Sequence, residues 1–323
     1  MDGWQNGWTM KHLLTLDDWT PEEVERTLVL GHEIKAKPAD YSETLRQRTL
    51  LMIFEKPSLR TRLSFETGMT QMGGHAIYYD TSTSPMGAGK ESLHDTAKTF
   101  SRYVDIVMAR LFDHEHLAEL ARYAQVPVIN ALTDLAHPCQ ILADLMTIRE
   151  KKGQLKGLKL AYLGDSNNNV THSLLIGCAI TGIHISVGCP DGDDYVPRRS
   201  VLESANRLAE TSGAQLNVVH DAAEAVRGAD VVYTDSWMSY HIPKDDLEAR
   251  VQRFTPYQVN QALMEKADPN AIFMNCLPAM RGYEQTAEVI DGPQSVVIDQ
   301  AENRLHAQKA VIITLMKAAG RLP

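Results

Sequence analysis

The sequence predicts an α/β protein of two doubly wound parallel-sheet domains joined by long crossing helices. Three observations predict it. Short apolar runs of strand length alternate with amphipathic stretches of helix length, the βαβ rhythm of a parallel sheet covered on both faces. The rhythm pauses around Gly153-Gln154-Leu155-Lys156-Gly157 and then restarts. The 323 residues suit two domains of roughly 100–200 residues each.

In the first half, Thr49 to Phe54, Ala76 to Tyr79, Ile106 to Ala109 and Val126 to Ile129 read as strands. Helices are expected over 60–72, 92–103 and 115–124, and a long one over 138–152. In the second half, strands are expected at Leu158 to Leu163, Ile183 to Gly188, Gln215 to Val219, Val231 to Tyr233, Ala271 to Met274 and Ser295 to Ile298. Helices fill 170–181, 198–212 and 222–227, and 301–319 forms a closing helix. The expected domains are 1–145, with a closing helix of about 303–323 packed back on it, and 146–302.

Composition excludes several classes. With 32 basic and 41 acidic side chains, the net charge of -9 argues against a general nucleic-acid binder, which would show a basic face. No run of 18 apolar residues exists, so no membrane span is expected. The start, Met1-Asp2-Gly3-Trp4, lacks the basic and apolar regions of a secretory signal. The four cysteines, Cys139, Cys178, Cys189 and Cys276, show no metal-ligand spacing and read as reduced thiols, so a cytoplasmic protein is expected.

Ligands of open α/β sheets sit at the carboxyl ends of strands, and the chemically loaded residues fall there. After the first strand comes Glu55-Lys56-Pro57-Ser58-Leu59-Arg60-Thr61-Arg62, opening a helix. A helix N-terminus with hydroxyls and arginines suits phosphate; taken alone, an ordinary basic turn fits equally well. Arg110 follows the third strand, and His137-Pro138-Cys139-Gln140 opens a helix after the fourth. A lone histidine there is more often a cap, and its convergence with Arg110 and the first loop is what raises it. Gly164-Asp165-Ser166-Asn167-Asn168-Asn169 is not GxGxxG, so a nicotinamide-dependent dehydrogenase is poorly supported. Asp235-Ser236-Trp237-Met238-Ser239, Asn275-Cys276-Leu277-Pro278 and Glu302-Asn303-Arg304 complete the set. Asp113-His114-Glu115-His116 has metal-type residues, but i and i+2 do not share a helix face, and a solvated helix start is favoured.

In order and spacing these motifs resemble those of the carbamoyltransferase (transcarbamylase) family, most closely its ornithine-specific members, over nearly the whole chain. The family's Ser-Thr-Arg-Thr-Arg loop stands as Ser58 to Arg62, and its His-Pro-Cys-Gln is intact at 137–140. The resemblance implies that Ser58, Arg60, Thr61 and the backbone of Leu59 hold the phosphate of carbamoyl phosphate. Arg110, His137 and Gln140 would meet its carbamoyl end, with Arg304 closing the site. Asn169, Asp235 and Ser239 would hold the head group of L-ornithine, with Tyr240 beside them, and Cys276 and the carbonyl of Leu277 would face its side-chain amine. The catalytic set is thus Arg60, Arg110, His137, Cys276 and Arg304, with no metal and no cofactor. The products would be citrulline and phosphate, made by a homotrimer with active sites near subunit interfaces and the loop 82–92 reaching a neighbour's site.

Three departures from the family pattern stand out. Leu59 replaces a threonine, Asn275 replaces the histidine of His-Cys-Leu-Pro, and Tyr240-His241-Ile242-Pro243 replaces Met-Gly. The last two bear on the acceptor, so lysine, a shorter diamino acid and putrescine stay open beside ornithine. A non-catalytic metabolite-binding relative also stays open, and Asn275 alone favours it.

Overall fold

The computed structural model describes residues 11–86, 89–238, 242 and 244–323. The expectations placed on Ser239 and Tyr240 lie outside the described residues, as does Gly87-Ala88 in the loop 82–92. The chain forms two compact units, Met1–Cys139 with Arg304–Pro323, and Gln140–Asn303.

The first unit opens on α1 (Pro21–Ala36), a helix the periodicity did not reveal. Its start carries a reciprocal cap: Thr20 Oγ1 accepts from Glu23 N and the Glu23 carboxylate accepts from Thr20 N. There follow β1 (Thr49–Phe54), α2 (Leu59–Gln71), β2 (His75–Asp80), α3 (Leu93–Phe100), β3 (Ile106–Arg110), α4 (His114–Tyr123) and β4 (Val128–Leu132). The strands form one parallel sheet in the order β2-β1-β3-β4. β3 and β4 are buried throughout, as the near-continuous apolar runs of a covered parallel sheet require. Because β1 has β2 on one side and β3 on the other, the winding reverses between β1 and β3. Their carboxyl ends define a crevice for ligand.

α5 (Pro138–Lys152) carries the chain into the second unit. There β5 (Lys159–Leu163), α6 (Asn169–Thr181), β6 (His184–Gly188), α7 (Arg199–Ser212), β7 (Leu216–Val219), α8 (Ala222–Val226) and β8 (Val231–Thr234) continue the alternation. Then come α9 (Leu247–Phe254), α10 (Gln261–Met264), β9 (Ile272–Met274), α11 (Ala287–Ile290) and α12 (Val297–Ala318), which returns the chain to the first unit. The parallel order is β7-β6-β5-β8-β9, so this sheet reverses between β5 and β8. One apolar cluster, including Ala161, Val232, Phe273 and Val297, fills the space under this sheet.

One strand is corrected. Ser295 to Ile298 is not a strand: Ser295 makes a single bridge to Phe273, and α12 begins at Val297. The run is β-branched, but only Val296 and Val297 are buried, whereas Ile298 is 72% exposed. A one-sided apolar patch suits a helix turn, and a covered strand would need both faces buried. The Asp113–His116 segment is a helix start, with Asp113 capping α4 by accepting from Glu115 N at 2.7 Å. Among the described residues no group of His, Cys, Asp and Glu is placed to hold a metal ion. No described helix is long and apolar enough to cross a membrane.

Candidate active site

In the first unit the polar residues gather at the β1/β3 switch point. Ser58 is the N-cap of α2: its Oγ accepts from Thr61 N at 3.3 Å and donates to Thr61 Oγ1 at 3.1 Å. The helix thus starts with its free N–H groups and positive dipole end pointing out of the sheet. Leu59 is 71% exposed, so its side chain contributes nothing there and only its N–H is available. Arg304, buried on α12, reaches Thr61 Oγ1 from Nη2 at 3.5 Å. With the Gln308 carboxamide turned to satisfy its neighbours, its oxygen accepts from Arg304 Nη2 and Nε at 2.8 and 3.1 Å.

The loops after β1 and β3 are laced together. Glu55 N donates to Arg110 O at 2.9 Å, and the Glu55 carboxylate accepts from Phe112 N at 2.7 Å. The lacing holds two buried cations side by side, Arg110 and Lys56, with Lys56 Nζ 4.4 Å from the Phe112 ring centroid. Burial, and Arg110 second, bring the Lys56 ammonium down to about 8. Sequence reasoning assigned no role to Lys56; its place at a strand end, inside a loop already singled out, was the available signal. His137 is buried in the same cluster. Burial first, then Arg304, Arg110, Lys56 and Arg60, hold its imidazole well below the usual value. His137 is therefore neutral at physiological pH. Cys139, two residues on, is buried and its thiol is pushed up to about 12 by burial, so it is inert; its Sγ–H faces Asn130 O at 3.4 Å.

In the second unit the residues gather at the β5/β8 switch point. Asn168 caps α6, its Oδ1 accepting from Val170 N and Thr171 N at 2.9 Å each. Its Nδ2 donates to Tyr162 Oη at 3.0 Å, so the turn is fixed to β5 and Asn169 is presented as the first helical residue. Asp235 follows β8, and Cys276 Sγ lies 3.1 Å from its Oδ1. Asn275 is fully buried: its Oδ1 accepts from Leu277 N at 2.7 Å and its Nδ2 donates to Gln285 Oε1 at 3.0 Å. Leu277 has φ +57°, a left-handed conformation costing roughly 1–2 kcal/mol in a non-glycine residue. The Asn275 bond holds the Leu277 peptide in that geometry. Gln140, in the first turn of α5, donates to Asp144 Oδ1 at 2.8 Å. Asp144 also accepts from Gln300 and Tyr233, and Gln300 Oε1 accepts from Asn275 N, so Gln140 and Asn275 share one buried network.

Two parallel α/β units, each with its polar residues at a switch point, one set cationic around a helix N-terminus and one carrying Asp and Cys, define a two-domain binder of small polar ligands. The comparisons sharpen that class. Residues 11–150 match the family model of the aspartate/ornithine carbamoyltransferase carbamoyl-P binding domain, and residues 156–315 match its Asp/Orn binding domain. The chain belongs to the aspartate/ornithine carbamoyltransferase family. It is 53% identical to the ornithine carbamoyltransferase of Methanothermobacter thermautotrophicus over 95% of this chain and 99% of that protein. It resembles the solved ornithine carbamoyltransferase of Pyrococcus furiosus, with a TM-score of 0.89, 48% identity, and 94% and 96% of the two chains covered. The ornithine transcarbamoylase of Giardia lamblia is similar at a TM-score of 0.88 and 44% identity, covering 95% and 98%.

Proposed function

We propose that this protein transfers the carbamoyl group of carbamoyl phosphate to the side-chain amine of L-ornithine, giving citrulline and phosphate. The observation that carries the reading is the donor set: a neutral, buried His137 among Lys56, Arg60, Arg110 and Arg304, beside the capped N-terminus of α2. A dianionic phosphate is stabilised by the helix N–H groups of Leu59 and Arg60, the hydroxyls of Ser58 and Thr61, and Arg60. Arg110 and Thr61 polarise the carbamoyl oxygen. A neutral His137 does so as an N–H donor, without adding a charge that would hold the phosphate back. Donors aimed at an oxyanion before it forms supply the large electrostatic term of such reactions.

The chemistry balances without a cofactor. The neutral amine attacks the carbamoyl carbon, a C–N bond forms, and the carbonyl electrons move onto the oxygen facing Arg110 and His137. The tetrahedral intermediate collapses, the C–O bond to phosphate breaks, and the bond electrons leave with phosphate. The amine loses one proton, which phosphate can accept. On the acceptor side, Asp235 suits an α-ammonium group, and Cys276 and the Leu277 carbonyl suit the reacting amine. Aspartate is disfavoured, because its second carboxylate asks for a further cation. Arg250, a described cation beside this loop, is already engaged by Asp165 and the Trp237 carbonyl. Ser239 and Tyr240 belong to the same proposed acceptor set.

The reading includes a cytoplasmic homotrimer. Free thiols at all four cysteines support a reducing compartment, and the exposed apolar side chains Leu59, Leu63 and Ile77 on α2 and edge strand β2 support self-association. The test is citrulline formation and phosphate release from carbamoyl phosphate with a panel of ornithine, lysine, 2,4-diaminobutyrate, putrescine and aspartate. Ornithine is expected to dominate kcat/KM. A larger value for another amine would overturn the acceptor and leave the family unchanged.

A further inference from the structure

We propose that Glu284 is a positioning residue of the acceptor half-site, a carboxylate that ties the Asp235 loop to the Cys276 loop. The inference rests on the reading of Asp235 and Cys276 as acceptor residues. Glu284 is 1% exposed. Its Oε1 accepts from Trp237 N at 3.2 Å and its Oε2 from Met280 N at 3.0 Å. Trp237 lies two residues beyond Asp235 and Met280 four beyond Cys276, so one carboxylate spans both loops at their bases. Glu284 is itself anchored by Val259 N, which donates to its carbonyl at 2.9 Å.

The neighbouring bonds point the same way. Gln285 donates from Nε2 to Met280 O at 3.3 Å and accepts from Asn275 Nδ2 at 3.0 Å, so Met280 is held at both its N–H and its carbonyl. Trp237 is held likewise, because its carbonyl accepts from Arg250 Nε at 2.6 Å. At the ends of these two clamped loops, Cys276 Sγ stands 3.1 Å from Asp235 Oδ1.

A carboxylate is the side chain that fits. Buried carboxylates are costly unless hydrogen-bonded. An apolar residue would fill the volume at less cost but would leave two N–H groups unmet. A glutamine has one accepting oxygen, and its NH2 would face the second N–H donor. Only two accepting oxygens on one stem serve both loops. Glu284 does not need to touch substrate: it sets where Asp235 and Cys276 stand.

The experiment is steady-state kinetics of Glu284→Gln, with folding checked by circular dichroism. Losing one charge-assisted bond should raise the ornithine KM by roughly 10–100-fold, while the carbamoyl phosphate KM stays within about twofold. Glu284→Asp, which keeps both oxygens on a shorter stem, should recover part of the loss, and it is read in the same way if Glu284→Gln does not fold. An unchanged ornithine KM, or an equal rise in both KM values, would overturn the inference. The unaltered enzyme is run first on the amine panel. If it prefers another amine, the ornithine reading fails and the Glu284 inference is judged on that amine's KM. If it carbamoylates none, both fail.

Discussion

Lys56 separates binding from stability by the sign of its titration. Burial and Arg110 lower it from the ordinary lysine value to about 8, so between pH 8 and the normal lysine range the unfolded chain binds more protons than the folded one. Folding stability from this group therefore rises with pH across that window. Donor binding has the opposite sign, because a deprotonated Lys56 no longer attracts phosphate. The expected result is a fall in kcat/KM for carbamoyl phosphate above pH 8. Lys56→Arg should remove that alkaline fall, and Lys56→Met should lower kcat/KM at pH 7 by about tenfold or more, the loss of one charged contact. A pH profile of the three proteins checks it. Asn275, the departure that favoured a non-catalytic relative, now has a structural role: a neutral amide supplies the acceptor for Leu277 N and the donor to Gln285. An imidazole with one bare and one protonated nitrogen could make the same pair of bonds, so the replacement is compatible with an intact Cys276 loop.

At the scale of elements, each unit carries, after the first strand of its switch-point pair, a side-chain-capped helix N-terminus that closes a strand-to-helix turn. Ser58 caps α2 in the first unit and Asn168 caps α6 in the second. Asn168→Ala should cost about 1–2 kcal/mol in denaturant unfolding, the usual loss for an N-cap, and raise the ornithine KM by freeing Asn169. Carbamoyl phosphate KM should not move. The helix α1 was legible in principle, since Thr20-Pro21-Glu22-Glu23 is a capping signature, although the strand-and-helix rhythm passes over it. The start of α12 was not legible. Val296-Val297-Ile298 has strand composition, and burial on one side alone made it a helical turn.

For the whole molecule, a net charge of -9 coexists with a cationic cluster of Lys56, Arg60, Arg110 and Arg304 around one histidine. Global charge governs solubility, and local charge governs the ligand. Leu59 and Leu63 lie one turn apart on α2, both more than half exposed. A trimer that covers this face should dissociate when Leu63→Glu buries a carboxylate in it. Sedimentation velocity should show three chains for the parent and fewer for the variant; a parent sedimenting as a monomer would end the trimer proposal.

The sequence by itself determined the parallel α/β class and the family resemblance, and it pointed to the residues proposed to hold the donor, because those depend on local period and on motifs contiguous in the chain. Tertiary structure alone decided the strand orders β2-β1-β3-β4 and β7-β6-β5-β8-β9, and with them which strand ends share a crevice. It also decided that the His137 imidazole is held well below its usual value and that Lys56 stands beside Arg110, since both follow from burial and from charges distant in sequence. Glu284 is the clearest case. Nothing in Gly282-Tyr283-Glu284-Gln285 marks it, because its meaning lies in two backbone N–H groups, one of them 47 residues away.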